Sequence, residues 1–263
     1  GPTQILQSLT GEPTNERIER FGRFQFDPGY KSYPHSDKRY QQNRIVDEPL
    51  RWGYLRDHIY SEIAFRLYPL YEPQFSAVYF RGVDFVEHFF WKYSDPEPFN
   101  DVSEEDERAY GDVISNYYVY QDALLARLLD SLGDDVNVIV VSDHGFQART
   151  DPPAARPQLT GKHERTAVLI ASGPAFRTAG EVDGARVEDV APTVLAVMGL
   201  PVAEDMDGRV LTEIIEESHM SAHPVNTIPS YEPLLGTERG DAETGSAMDE
   251  SIREQLKSLG YIE

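Results

Sequence analysis

An α/β protein is predicted by three features of the chain. Short apolar runs of strand length occur at Phe75–Phe80, Val136–Val141 and Thr166–Ala171. Longer stretches between and around them carry apolar residues at helical spacing, and glycine or proline ends most of these stretches. Strands that alternate with helices indicate a largely parallel or mixed sheet covered on both faces. The 263 residues can bury a sizeable core in one or two domains.

The elements follow in order. Pro49 to Tyr68 holds Leu50, Tyr54, Ile59, Ile63 and Leu67 near helical spacing, which predicts an amphipathic helix ended by Pro69. Phe75–Phe80 reads as a strand, and Gly82 after it leads into a helical turn from Asp84. Ser103 opens a second long helix, with Glu105, Asp106 and Glu107 placed to favour the positive end of the helix dipole. That helix is expected to run through Tyr117–Tyr120 and Leu124–Leu129 and to stop at Gly133. The strands Val136–Val141 and Thr166–Ala171 come next, the latter closed by Ser172-Gly-Pro174. A helix over Asp189–Met198 is capped by Gly199, and a short final helix over Ser251–Leu259 ends at Gly260.

Both ends differ from this middle. Gly1 to Arg44 is rich in Arg, Gln, Tyr, Pro and Asp and has no apolar strand, and Ser218 to Glu250 is polar and aperiodic. The expected organisation is an irregular segment or linker over 1–46, a structured part with the strands and helices over 47–215, and a carboxyl-terminal arm over 216–263.

A formal net charge of −21 argues against direct binding to nucleic acid or an anionic membrane. The 5 Lys against 19 Arg and 45 acidic residues fit either a salt-adapted source or an ordinary solvated acidic surface. No run reaches the ~18 apolar residues that span a bilayer, and no leader is visible, so composition leaves localisation open. With no cysteine in the chain, thiolate zinc sites are excluded.

The chemistry concentrates in three segments. Val138-Ile-Val-Val-Ser-Asp-His-Gly-Phe146 ends an apolar strand in two adjacent ligand side chains, Asp143 and His144. Val78-Tyr-Phe-Arg-Gly-Val-Asp-Phe-Val-Glu-His88 supplies Asp84 and His88, four apart and hence on one face of a helix. Gly161-Lys-His163 supplies a third imidazole. Carboxylate oxygen and neutral imidazole nitrogen are donors that zinc accepts in open sites, with manganese or iron as alternatives. Neighbouring side chains diverge, so Asp143 and His144 can share an ion only at an irregular strand end, which Gly145 makes easy.

Each residue also has a plainer reading. His88 could belong to a packed aromatic helix with Phe89-Phe-Trp91, Asp143 could cap a turn, and His163 could be a surface loop residue between Lys162 and Glu164. His35, His58, His219 and His223 carry no such pattern, and Pro224 argues against a stable helix under the last two.

In order, Asp84-x-x-x-His88, Ser142-Asp-His-Gly-Phe146 and Gly161-x-His163 resemble the alkaline phosphatase superfamily, nearest its type I phosphodiesterase / nucleotide pyrophosphatase branch. Val187–Pro201 and Asp205–Leu211 resemble that superfamily's closing helix and loop. The resemblance implies a three-layer α/β/α fold with a mostly parallel central sheet. It also implies two divalent metal ions, zinc first, acting on a phosphoester small molecule. By motif, Asp84, His88 and His163 would hold one ion, and Asp143 and His144 the other. The Thr or Ser nucleophile of the family, and a further Asp, have no counterpart before Asp84, so the chain reads as the carboxyl-terminal half of a longer enzyme with its nucleophile upstream. Arg81 and Lys162 are candidate phosphate contacts. A sulfatase, a phosphoglycerate mutase-like enzyme and a non-catalytic metal- or phosphate-binding relative are the alternatives. Oligomeric state is not read from the sequence.

Overall fold

The computed structural model describes residues 33–133, 135–152, 158–178 and 180–232. The expected helix over Ser251–Leu259 and residues 1–32 of the stretch Gly1–Arg44 lie outside them. The chain divides into two compact units. One comprises Gly1–Ser131 with Phe146–Glu164, and the other Leu132–Gly145 with Arg165–Glu263.

The first unit is mainly helical. Helix α1 (Lys38–Tyr71) starts earlier than the apolar spacing implies, and it holds both Pro49 and Pro69 internally. Each proline lacks an N–H and so leaves one ladder bond unmade. At Pro69 the helix nonetheless continues, and the Glu72 N–H donates to the Tyr68 carbonyl at 2.8 Å. Helix α2 (Gly82–Ser94) packs against α1 and starts two residues before Asp84. Between them, Phe75–Phe80 belongs to no strand, contrary to the reading of its residue types. A strand needs a hydrogen-bonded neighbour, and none pairs with it among the described residues. Phe75 and Tyr79 are accordingly exposed.

The single long helix expected from Ser103 is two helices, α3 (Glu104–Tyr110) and α4 (Val113–Leu132). Ser103 caps α3, its hydroxyl accepting from the Asp106 N–H at 3.1 Å, as its residue type and position imply. The break falls at Gly111-Asp112, where the Gly111 carbonyl takes the Ser94 hydroxyl at 2.8 Å instead of continuing the helical ladder. Leu50, Tyr54, Val86, Phe90, Tyr110, Val113 and Tyr117 form the core of this unit. Burying an aromatic or aliphatic side chain of this size contributes roughly 1.5–3 kcal/mol.

Strands in the described residues make three two-stranded sheets. In the second unit, β1 (Val138–Val141) pairs antiparallel with β4 (Leu169–Ser172), Val138 opposite Ser172 and Val141 opposite Leu169. Both strands lie within or beside the runs expected. The pair extends one step further, with the Ser142 N–H donating to the Val168 carbonyl and the Val168 N–H to the Ser142 hydroxyl, both at 3.0 Å. The chain then returns to the first unit through β2 (Gly145–Ala148), which pairs with β3 (Gly161–Glu164). A mostly parallel central sheet is not seen among the described residues.

Beyond β4, a 3-10 turn at Val187–Asp189 leads into α5 (Val190–Val197), which Gly199 ends at a φ of 69°. Asp189 is buried and accepts the N–H groups of Arg186 and Arg209 at 2.9 and 2.8 Å, tying the loop after α5 back to its start. The stretch read as an aperiodic arm starts with structure: α6 (Glu217–Ala222), then β6 (Thr227–Ile228), parallel to β5 (Val202–Ala203). No helix among the described residues is long and apolar enough to cross a membrane.

Candidate metal centre

Asp84 and His88 are one turn apart on α2 and face β3, which packs along the helix. The contact is anchored by backbone. The Thr160 N–H donates to the His88 carbonyl at 2.8 Å, and the Lys92 N–H to the Thr160 hydroxyl at 3.3 Å. At Gly161 a β-carbon would overlap the Glu87 carbonyl, so glycine alone allows β3 this close. Two residues on, His163 reaches the face that carries Asp84 and His88.

Three donor atoms converge there. His163 Nε2 lies 3.0 Å from His88 Nε2 and 3.3 Å from Asp84 Oδ1, and His88 Nε2 lies 3.4 Å from the same oxygen. Three ligands held at about 2.0–2.1 Å from one zinc ion at tetrahedral angles would be separated by about 3.3 Å. The triangle therefore matches one face of such a site.

Proton counting points the same way. His88 Nδ1 lies 3.0 Å from the Gly161 carbonyl, which can only accept, so the neutral ring carries its proton on Nδ1 and offers a lone pair at Nε2. Asp84 as a carboxylate also only accepts. One N–H on His163 Nε2 cannot aim at both partners, whereas a cation satisfies all three. This second-sphere carbonyl is the usual device for fixing a ligand imidazole.

Aromatic packing orients both rings. Phe146 meets His88 edge-on at 4.9 Å and His163 at 5.2 Å between centroids, and stacks on Trp91 at 6.2 Å. Burial alone would raise the Asp84 carboxyl, but His163 and His88, which in their protonated forms hydrogen-bond to it, and the Arg81 guanidinium hold it well below the usual carboxylate range. Its neighbour Glu87 is pushed up to about 7, chiefly by burial, against the Tyr118 hydroxyl that donates to it at 3.0 Å, and further by Asp84.

Asp143 and His144 belong to the second unit, on the bend between β1 and β2. Although adjacent in sequence, their side chains converge, with Asp143 Oδ1 3.6 Å from His144 Nε2. His144 Nδ1 faces the Gly145 carbonyl at 3.1 Å, which puts the proton on Nδ1 and turns Nε2 towards Asp143. As at His88, a backbone carbonyl fixes the tautomer.

Of the candidate phosphate contacts, Arg81 lies against Asp84, Nε to Oδ2 at 3.4 Å, with its guanidinium over the Phe85 ring at 5.1 Å. His58 stacks on Tyr54. His219 sits on α6 despite Pro224, beside His223 and 3.0 Å from the Val197 carbonyl. Sequence reasoning did not single out the Gly161 carbonyl or the Phe146 ring, though both residues lie inside the quoted motifs. Asp57, a buried carboxylate of α1, lies outside them.

The family model described as type I phosphodiesterase / nucleotide pyrophosphatase matches residues 21–218. Among curated relatives, a 2,3-bisphosphoglycerate-independent phosphoglycerate mutase of Rhodopirellula baltica is 37% identical over 94 residues, 35% of this chain and 17% of the relative. One from Laribacter hongkongensis is 32% identical over 95 residues, 36% of this chain and 18% of the relative. The matched part of the chain thus spans under a fifth of the length of these relatives. No solved structure matches the chain significantly. With three quarters of its length matched by that family model, the chain belongs to the type I phosphodiesterase / nucleotide pyrophosphatase family of the alkaline phosphatase superfamily.

Proposed function

We propose that this chain carries the divalent-metal centre of a phosphoester-processing enzyme, a hydrolase of the phosphodiesterase type. The donor triangle of Asp84, His88 and His163 carries the reading, because its 3.0–3.4 Å edges and fixed His88 tautomer suit one ion, zinc before manganese or iron. In this reading Asp143 and His144 hold a second ion, and the three-layer fold of the resemblance houses both. Bound there, divalent ions would supply charge for the oxygens of a transferring phosphoryl group. The chain's own groups do the rest. The Gly161 carbonyl keeps the His88 proton away from the centre, Phe146 holds both rings, and Arg81 offers a cation beside Asp84. No nucleophile is assigned among the described residues.

A second reading, phosphoryl transfer within a substrate, is favoured by the phosphoglycerate mutase relatives. Both readings need the same centre, so metal content tests them first. Protein purified without chelators should contain zinc by elemental analysis, and His163→Ala should lose most of it. A chain that takes up no zinc, manganese or iron, or a His163→Ala variant with an undiminished complement, would sink the proposal. Rates on a chromogenic phosphodiester and on phosphoglycerate, measured side by side, then separate hydrolase from mutase.

A further inference from the structure

Asp57 lies on α1, outside the ligand motifs in sequence, and none of it is exposed. Its carboxylate collects donors from two other parts of the unit. Oδ1 accepts the Arg81 N–H at 2.9 Å and the Gly82 N–H at 3.1 Å. Oδ2 accepts the Gly82 N–H at 3.1 Å, the Tyr117 hydroxyl at 2.9 Å and the Gln121 side-chain amide of α4. Arg81, the N-cap of α2, makes no side-chain cap of its own. A carboxylate from α1 therefore serves the first, otherwise orphaned N–H groups of α2. Gly82 completes the fit, since a β-carbon there would land on the Tyr117 hydroxyl and Asp57 Oδ2.

Stability alone does not account for a carboxylate at this place. Leu50, Tyr54, Asp57 and Ser61 form one buried stripe of α1, and a charge in such a stripe carries a desolvation cost that a well-packed apolar residue avoids. What two oxygens with donors from α2 and α4 add is orientation, because a satisfied network of this kind admits one arrangement of its members. Asp84 follows Gly82 by two residues and His88 by six.

We infer that Asp57 is a positioning residue for the metal centre: it pins the first turn of α2 to α1 and α4 and so sets where Asp84 and His88 stand relative to His163. The inference rests on the metal-centre reading above. A ligand helix free to rotate or fray at its start would move both of its donor atoms off the triangle, and outer-shell losses of this kind typically weaken metal binding 10–100-fold.

The test uses the full chain with cobalt(II) as a spectroscopic stand-in for zinc, and zinc affinity by chelator competition. Asp57→Ala should lower both affinities by about 10–100-fold and alter the cobalt visible bands, at a temperature where circular dichroism shows the helices intact. Asp57→Asn, which keeps one acceptor oxygen for the α2 N–H groups, should fall between Ala and wild type. Tyr117→Phe removes one donor and should shift affinity in the same direction by less, which keeps the idea testable if Asp57→Ala does not fold. Folded Asp57 variants, or Asn and Phe variants alone, that bind cobalt with wild-type affinity and spectrum would overturn the inference while leaving the metal centre standing. A wild-type chain that binds neither cobalt nor zinc would overturn the metal reading, and this inference with it.

Discussion

Asp57 shows how one buried carboxyl couples stability to pH. Burial raises its pKa above the ordinary value, and the hydrogen bonds from Arg81, Tyr117, Gly82 and Gln121 only partly offset this. The folded state therefore keeps a proton that the unfolded chain has already released near pH ~3.9. Where the native state binds more protons, stability falls as pH rises, from the ordinary carboxylate value up through the raised folded value, and then levels off. Asp57→Asn cannot titrate. The expected outcome in urea unfolding between pH ~4 and ~8 is that the stability of Asp57→Asn relative to wild type improves with pH and then plateaus. A relative stability that declines with pH would contradict the direction assigned here.

Among elements, the junction of α2 and β3 is the one on which the proposed metal centre depends. Gly161 sits where backbone meets backbone, and its carbonyl also holds the His88 tautomer. Gly161→Ala must push β3 away from the Glu87 carbonyl and from the Phe146 ring. Overpacking of this kind costs about 1–3 kcal/mol, and the displaced carbonyl should weaken zinc binding as well. Thermal melts and zinc competition on one protein sample check both outcomes. Unchanged melting together with unchanged affinity would show that β3 can shift without cost. Phe75–Phe80 shows the opposite case, an element whose residue types favour a strand but which has no ladder partner among the described residues. β-propensity is the capacity to fit a pleated, paired surface, and it cannot supply the pair.

For the whole molecule, charge is the dominant sequence-level property. At −21 over 263 residues, like charges repel in any compact state. Surface repulsion is screened over a Debye length that shrinks from about 30 Å at 0.01 M salt to about 8 Å at 0.15 M. The melting temperature should therefore rise when sodium chloride is raised from ~0.01 M to ~0.5 M. Calorimetry at constant pH reads this directly, and a fall would mean that attractive ion pairs such as Arg127–Glu62 and Arg209–Glu213 outweigh the repulsion.

The sequence by itself determined which donor residues a centre could be proposed from and much of their local framing. Asp84 and His88 share a helix face because four residues make about one turn, and Ser103 caps α3 because its hydroxyl can accept from a first-turn N–H. The strands beside Asp143 and before Ser172 were legible from apolar runs bounded by turn residues. The family, too, was legible in the order of its motifs. These features depend on neighbours within a few residues, so the chain records them directly. The break at Gly111-Asp112 was not legible; there the Gly111 carbonyl accepts from the Ser94 hydroxyl, 17 residues back along the chain. Nor was the helix through Pro69, the unpaired Phe75–Phe80 or the role of Asp57, whose donors lie 24 to 64 residues along the chain. Only the tertiary structure brought His163 to within 3.0 Å of His88, because that approach depends on how closely β3 can pack on α2. Periodicity measures which face a side chain occupies; it carries no information on which distant backbone will meet that face.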